Sequence, residues 1–303
     1  MPLLRTVAES LSNNDLIAGV VEEIIDRDEL FALLPFVRTE GKAYVYNREG
    51  TLSEGSFIDV NAVVPEGASQ VTEVTTKLRI LAGDVDVDKF LQETMSDTNA
   101  QKAIQIAMKA KGMGRAFRRA LIQGNSATNP LEFDGVDKLV TDLGAARALV
   151  AGTNGAAISL SMLDELADMI PNRPDAYMMR TGTWRAIKQL LRAAGGNTAE
   201  HIMMDNFGRP IPAFDGVPVI INDFIPGDVA QGTEANTCSV YALRLNEVDG
   251  LHGLFGGESA GVRVEDLGTV QNKDATRTRL KWYCGLALKS TQSVAAIRGL
   301  TNV

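Results

Sequence analysis

The chain has 303 residues, a length that corresponds to about two domains or one large domain. Apolar residues make up 45% of it and charged residues 22%, which is typical of a folded globular protein and excludes disorder or a coiled coil over the whole chain. The 30 Lys and Arg residues are outnumbered by 38 Asp and Glu residues, giving a net charge of −8. This balance disfavours general nucleic-acid binding, because affinity for phosphates comes from basic side chains.

Membrane insertion, secretion and disulfide stapling also lack sequence support. No apolar run approaches the roughly 18 residues needed to cross a bilayer, and the N-terminus lacks the apolar segment of a signal peptide. Cys238 and Cys284 are too few for a disulfide framework and are expected to be small buried side chains. Only two histidines occur, His201 and His252, which disfavours most histidine-based catalysis.

The first predicted element is a helix over residues 13–34, which Pro35 ends. Leu16, Val20 and Ile24 recur four residues apart and give it an apolar stripe. This helix either packs on its own domain or forms an arm that contacts a neighbouring subunit.

Residues 42–48 and 71–81 predict two strands, and the segment between them contains Gly50, Gly55 and Pro65 with little periodicity. Together they predict a long hairpin with a broad tip at residues 49–70. An isolated two-stranded ribbon is at best marginally stable in water. The ribbon must therefore lie either on its own body or on another copy of the chain.

Residues 84–88 continue as a strand with an acidic face. A calcium loop is excluded, because Lys89 and Met95 stand where its Gly and Glu are required. Residues 97–123 predict one helix about 40 Å long, with Ala100, Ala103, Ile104, Ala107 and Met108 as its buried stripe.

Near its end this helix carries a basic group of four residues: Lys111, Arg115, Arg118 and Arg119. The group is either a solvated face or a surface that pairs with acidic residues of another subunit.

The remainder of the chain predicts a short strand at residues 135–136, an α/β pattern to about residue 250, and then mostly strands. Residues 277–284 alternate, with one apolar and one basic face. A closing strand follows at residues 294–297.

The sharpest enzymatic signal is the sequence Gly257-Glu258-Ser259-Ala260-Gly261, which matches the nucleophile turn of α/β-hydrolases. In those enzymes the acid and the histidine follow the serine and the turn leads into a helix. Here both histidines precede Ser259, and residues 262–265 predict a strand. A serine hydrolase is therefore only a remote alternative.

Metal and cofactor sites are not predicted either. The Cys and His residues are too widely spaced for zinc, and no phosphate-binding glycine motif occurs. We therefore expect no catalytic residue, no cofactor and no metal site.

Taken in order, these segments resemble the major capsid protein of tailed bacteriophages, which has the Hong Kong 97-like fold. The resemblance covers nearly the whole chain, although no single motif in it is as specific as a metal site. The stretches that carry it are residues 19–36 with 41–48, residues 120–125 with 133–136, residues 183–184 with 207–219, and residues 279–288 with 294–299.

The resemblance implies an α+β fold with an N-terminal arm, an extended β-hairpin loop, a long spine helix, and peripheral and axial domains. The implied segments are the arm at 1–38, the extended loop at 39–82, the peripheral domain with the spine helix at 83–145, the axial domain at 146–254, returning peripheral strands at 255–285 and a closing axial strand at 286–303.

The resemblance also implies a non-enzymatic protein that self-assembles into hexamers and pentamers of an icosahedral shell around double-stranded DNA. Its location would be the virion capsid, assembled in the host cytoplasm. The implied partners are a portal, a scaffolding protein and, as an option, a decoration protein. An encapsulin, a bacterial compartment shell with the same fold, is the alternative.

Intersubunit contacts are expected at two places. Glu54, Phe57 and Asp59 in the extended loop would lie across a neighbour's spine helix or peripheral domain. Arg115, Arg118 and Arg119 are the second group of candidates.

Two features depart from some relatives. Covalent crosslinking would need a loop Lys and a neighbour's Asn, yet residues 49–70 contain no Lys, so we expect no crosslink and an ordinary loop role for Asn272. Lys77 is the nearest candidate, while Thr75 aligns with the reacting position. The arm lies within about 40 residues of Met1, so a separate scaffolding protein is expected.

Overall fold

A computed structural model describes residues 33–50, 52–61, 63–89, 98–193, 201–203, 210–258, 260–271 and 273–303. The helix predicted over residues 13–34 falls almost entirely outside these ranges, as do Ser259 and Asn272.

The described elements begin with four strands, continue with helices interspersed with two short strands, and end with nine strands. The strands are β1 (Phe36–Thr39), β2 (Ala43–Glu49), β3 (Val71–Lys77), β4 (Arg79–Asp88), β5 (Ala148–Val150), β6 (Ala176–Met179), β7 (His201–Met203), β8 (Pro210–Phe214), β9 (Val217–Ile221), β10 (Val229–Gln231), β11 (Glu234–Leu243), β12 (Leu251–Gly256), β13 (Arg263–Thr269), β14 (Ala275–Leu288) and β15 (Val294–Leu300). The helices are α1 (Thr98–Gln123), α2 (Val136–Leu143), α3 (Leu160–Asp168) and α4 (Thr181–Ala193), with a 3₁₀ turn at Gly144–Arg147.

The predicted hairpin is present as a ribbon formed by β2 and β3. The two strands pair antiparallel, from Ala43 opposite Lys77 to Glu49 opposite Val71. The second predicted strand, 71–81, is in fact two strands, because the chain changes partner at Leu78. From Arg79 onward β4 pairs with β14 instead.

A five-stranded sheet is built around the long strand β14. One side of β14 pairs with β4, the other with β13 and then β12, and β1 runs parallel to β12. The alternation predicted for residues 277–284 is present: Leu280, Trp282 and Cys284 are buried on the face that packs in the same core as α1.

Helix α1 has the predicted bounds, but its predicted buried stripe is wrong at Ala103 and Met108, while Ala107 is half-buried. The buried stripe is Ile106, Ala110, Met113, Phe117 and Leu121. Of the predicted residues, Ala103 is exposed and Met108 is 63% exposed. The observed stripe includes the large apolar side chains of Ile106, Met113, Phe117 and Leu121, which bury more area than the alanines of the predicted stripe.

The strand predicted at residues 135–136 is the start of helix α2. Val136 and Val140, one turn apart, are both fully buried against α1. Asp137 fixes this helix to the second sheet, because it accepts hydrogen bonds from the Tyr241 hydroxyl (3.1 Å) and from Arg298 Nη2 (2.9 Å).

The second sheet has eight strands in the order β5-β15-β11-β6-β9-β8-β7, with β10 paired to β11. Both of its faces are covered. Met178 and Tyr241 lie on the face that shares a core with α1 and α2, whereas Tyr177 and Val240 lie in a second core with α3 and α4. The α/β pattern predicted for this region thus folds as helices on both faces of one sheet.

Sheet pairing divides the chain at somewhat different points from the predicted segments. β12, predicted largely within the axial segment 146–254, and the end of β14, predicted within 286–303, both pair in the five-stranded sheet. The division into peripheral and axial domains stays a prediction.

Candidate intersubunit surface

The base of the ribbon lies on one face of the five-stranded sheet. His252 and Leu254 of β12 point to this face and stand opposite Ala287 and Gly285 of β14. Leu78, where the ribbon joins β4, lies so close to the sheet that a methyl group added at Gly285 would be 3.5 Å from it. His252, Leu254 and Ala287 are buried here.

Two ribbon side chains bond to the backbone at the end of β14. Arg48 donates from Nε to the Lys289 carbonyl (2.8 Å) and from Nη2 to the Leu288 carbonyl (2.7 Å). The Tyr46 hydroxyl also donates to the Leu288 carbonyl, and burial raises its pKa, so it remains a protonated donor. Of the two alternatives left open by the sequence, the ribbon base therefore lies on its own body.

Whereas the base of the ribbon is packed on the sheet, its tip is exposed to solvent. Every described residue from Glu49 to Glu73 is exposed. Near its start the two arms of the tip stay together, because the Gly50 amide donates to the Gln70 carbonyl (2.9 Å) and the Ser53 amide to the Ser69 hydroxyl (3.1 Å).

This exposed tip is rich in large apolar side chains. They are Leu52, Phe57, Ile58, Val60, Val63, Val64 and Val71. Phe57 is as exposed as it would be in an isolated peptide. Exposed large apolar side chains concentrated in one segment are typical of a contact site.

The tip is also acidic throughout. Between Glu49 and Thr76 the sequence holds five acidic residues and no Lys or Arg. The acidic residues are Glu49, Glu54, Asp59, Glu66 and Glu73. The predicted contact residues Glu54, Phe57 and Asp59 are thus all exposed, although Asp59 also accepts a hydrogen bond from the Val60 amide (2.7 Å).

The second predicted group lies on the outer side of α1. Arg115 and Arg118 place their guanidinium groups 6.0 and 5.6 Å from the centre of the Phe224 ring of their own chain, a cation–π arrangement. Lys111 and Arg119 are exposed. The structure therefore gives two of the predicted arginines an intramolecular contact and leaves the outer face of α1 basic.

Sequence reasoning missed an ion-pair ladder on the five-stranded sheet. Arg279 binds Asp84 through two hydrogen bonds of 2.8 Å, and Arg277 binds Asp86 through two of 2.7 Å. The Arg279 hydrogen bond lowers the pKa of Asp84, and the Arg277 hydrogen bond lowers that of Asp86. The acidic face predicted on β4 thus neutralises the basic face predicted on β14.

The hydrolase-like motif lies between two strands. β12 ends at Gly256 and β13 begins at Arg263, whereas the nucleophile turn of a hydrolase joins a strand to a helix. Ser259 itself lies outside the described residues.

The cysteines are placed as predicted. Cys238 and Cys284 are buried, and burial raises the pKa of both thiols, that of Cys284 to about 12. Among the described residues, no group of three or more Cys, His, Asp and Glu side chains could hold a metal ion. In the same part of the chain no helix combines the length and apolar character needed to span a membrane.

No protein-family model matches the chain, and comparison with curated proteins gives no match. Solved structures do match. The holo-SrpI encapsulin complex from Synechococcus elongatus has a TM-score of 0.67 at 19% identity, covering 99% of this chain and 96% of that one.

Two further matches are the capsid of a native GTA particle and a structure from Mycobacterium phage Bobi. Their TM-scores are 0.64 and 0.61 at 16% and 15% identity, and each match covers 89% of both chains. The predicted fold is therefore confirmed: the chain has the α+β Hong Kong 97-like capsid fold.

Proposed function

We propose that this chain is the repeating subunit of a closed protein shell. The observation that carries the proposal is the ribbon itself, whose base is fixed to its own sheet while its apolar tip is exposed. An exposed apolar tip of this size is stabilised when a second copy covers it. The fold it shares with capsids and an encapsulin supports the same conclusion.

More specifically, we propose that the chain is the major capsid protein of a tailed bacteriophage, arranged as hexamers and pentamers around double-stranded DNA. A portal and a separate scaffolding protein would be its partners, and the virion capsid, assembled in the host cytoplasm, its location. The length of the ribbon supports assignment as a phage capsid protein. The net charge of −8 suits a shell that must not hold its genome tightly.

An encapsulin-type compartment is the second candidate. It is favoured by the match to the Synechococcus elongatus encapsulin complex, which extends over 99% of this chain. The contents of shells isolated from the source cells discriminate the two candidates. Nuclease-protected double-stranded DNA supports the phage capsid, whereas a single enclosed enzyme supports the compartment.

Charge complementarity indicates where the tip docks. The tip carries five acidic residues and no basic ones, whereas the outer face of α1 exposes Lys111, Arg115 and Arg119. Opposite charges steer two surfaces together and fix their register. We therefore place the tip of one subunit on the basic face of α1 in its neighbour.

Removing the tip tests the proposal. Deleting residues 50–68 leaves Ser69 and Gln70 as a two-residue turn between Glu49 and Val71, which are paired in the ribbon. Replacing this turn by Asn-Gly (S69N and Q70G) provides the residues that such turns favour. The body should fold with unchanged circular dichroism, because every described residue in the deleted segment is exposed.

We expect the deletion variant to form no closed shells in negative-stain micrographs, while the intact chain forms them under the same conditions. Val150→Ser is the matched control, because Val150 is also an exposed apolar residue but belongs to the eight-stranded sheet, whereas the ribbon lies on the five-stranded sheet. Normal particles from the deletion variant would disprove the role given to the tip.

A further inference from the structure

His252 is buried at the point where the ribbon meets the sheet. Its side chain is fully buried. The ring of Tyr44, on ribbon strand β2, stands edge-on to the imidazole with a centroid distance of 5.7 Å. The Nδ1 atom lies 3.4 Å from the Gly250 carbonyl, and Nε2 is buried with no hydrogen-bond partner among the described residues.

The ribbon is what removes His252 from solvent. On the same face of the sheet but beyond the ribbon base, Ile80 is 71% exposed and the ion-pair ladder of Arg277 and Arg279 is open to water. Under the ribbon, His252 and Leu254 are fully buried. Lifting the base of the ribbon would therefore return His252 to water.

The cations near His252 disfavour its protonation, because protonation would add another positive charge beside them. Lys289, just after β14, holds its ammonium group 6.0 Å from the centre of the Tyr44 ring, and its charge acts against protonation of His252. Arg48 of the ribbon adds another cation beside Tyr46. Glu247 is the anion that acts in favour of protonation.

Two further polar groups lie on the segments around this site. Asp249, two residues before β12, pairs through Oδ2 with Arg244 at 3.0 Å, whereas its Oδ1 is buried without a hydrogen-bond partner among the described residues. The Tyr46 hydroxyl, from the ribbon, donates its hydrogen to the Leu288 carbonyl. From β1, the apolar Val37 pairs with Leu254, the next residue of β12 on the same face as His252.

We propose that protonation of His252 releases the base of the ribbon from the sheet, so that mild acid opens this contact. An imidazolium carries two N–H donors and a full charge. In the closed arrangement the Gly250 carbonyl can satisfy one donor, and the other faces a buried site. In the open arrangement water solvates both, so acid favours opening.

The direction of the effect follows from linkage. Burial lowers the pKa of His252 in the closed arrangement, while the open arrangement has the ordinary value of about 6.5. The closed arrangement is therefore fully favoured above about pH 6.5 and loses stability as the pH falls below it. The ratio of open to closed ribbon rises by up to about tenfold per pH unit, until the lowered pKa is passed.

Hydrogen–deuterium exchange of the full chain tests this inference. The amides of β2 and β3 report opening of the ribbon base and would be followed between pH 7.5 and 5.5, corrected for the intrinsic pH dependence of exchange. His252→Asn removes the titrating group and retains a side-chain amide able to donate to the Gly250 carbonyl. His201→Gln is the matched control, because the sequence has only these two histidines.

We expect acid-dependent opening in the intact chain and in His201→Gln, and pH-independent exchange in His252→Asn. Equal acid dependence in His252→Asn, or none in the intact chain, would overturn the inference. Should His252→Asn fail to fold, NMR titration of the intact chain decides, since a His252 pKa at or above 6.5 also contradicts it. The proposed opening takes place within a single subunit. A result that disproves it therefore leaves the proposed shell function untouched.

Discussion

The ring of Phe117 lies 4.5 Å from the ring of Trp282, centroid to centroid, and this pair joins α1 to the central strand β14. Phe36 and Phe133 complete the cluster, with ring centroids 6.3 and 5.5 Å from Phe117. Aromatic pairs in such tilted contacts add to the free energy gained by burying their area. The cluster therefore fixes which side of α1 faces the sheet.

Truncation at Phe117 should be far more costly than truncation on the predicted stripe. Phe117→Ala removes a ring that is 1% exposed, and buried Phe-to-Ala changes lower the free energy of unfolding by about 3–5 kcal/mol. Met108→Ala, at a position that is 63% exposed, should change it by less than about 0.5 kcal/mol. Urea unfolding of the unassembled chain measures both, and equal losses would contradict the observed orientation of α1.

The length of α1 was predictable from the sequence, whereas its buried side was not. Alanines and methionines occur all around the helix, so helical spacing fits more than one stripe. Which stripe is buried depends on the shape of the opposing surface. That surface is made by Trp282 and Leu280, more than 150 residues further along the chain.

The ladder between β4 and β14 should make stability depend on acid and salt. The lowered pKa values of Asp84 and Asp86 mean that their stabilising effect is fully present above the ordinary value of about 3.9. It is lost as the pH falls through the lowered values. At pH 7 the double variant D84N/D86N should lower Tm by about 1–3 °C, because exposed ion pairs contribute little.

Thermal unfolding of the variant and the intact chain between pH 7 and pH 2.5 checks this expectation. The difference in Tm should hold to about pH 4, vanish in stronger acid, and shrink in 1 M salt. Asp228→Asn, an exposed site outside the ladder, is the control. A Tm difference that stays the same between pH 4 and pH 2.5 would show that these carboxylates titrate at ordinary values, because a group with an unshifted pKa adds no pH dependence to stability.

Both halves of the ladder were visible in the sequence, as an acidic face on residues 84–88 and a basic face on residues 277–284. Their pairing was not, because Arg277 and Asp86 are 191 positions apart. Nothing local fixes the register of two strands so far apart. By contrast, the ribbon was predictable, because its strands are joined by one loop and its exposed tip lacks any periodic pattern.

Charge reversal tests the docking of the tip on α1. Lys111→Glu with Arg119→Glu changes two exposed positions of α1 and leaves Arg115 and Arg118 stacked on Phe224. Because like charges then meet across the interface, the chain concentration needed for shell formation should rise about tenfold or more, equivalent to about 1.4 kcal/mol per contact. Light scattering measures that concentration.

Reversing the partner surface should restore assembly. Glu54→Lys with Asp59→Lys alone should impair shell formation to a similar degree, and the combination of all four changes should recover most of it. Arg185→Glu with Arg192→Glu makes the same charge change at exposed positions of α4 and should have little effect. If the fourfold variant assembles no better than either pair, the tip docks on another surface, because two surfaces in contact must respond to each other's charge.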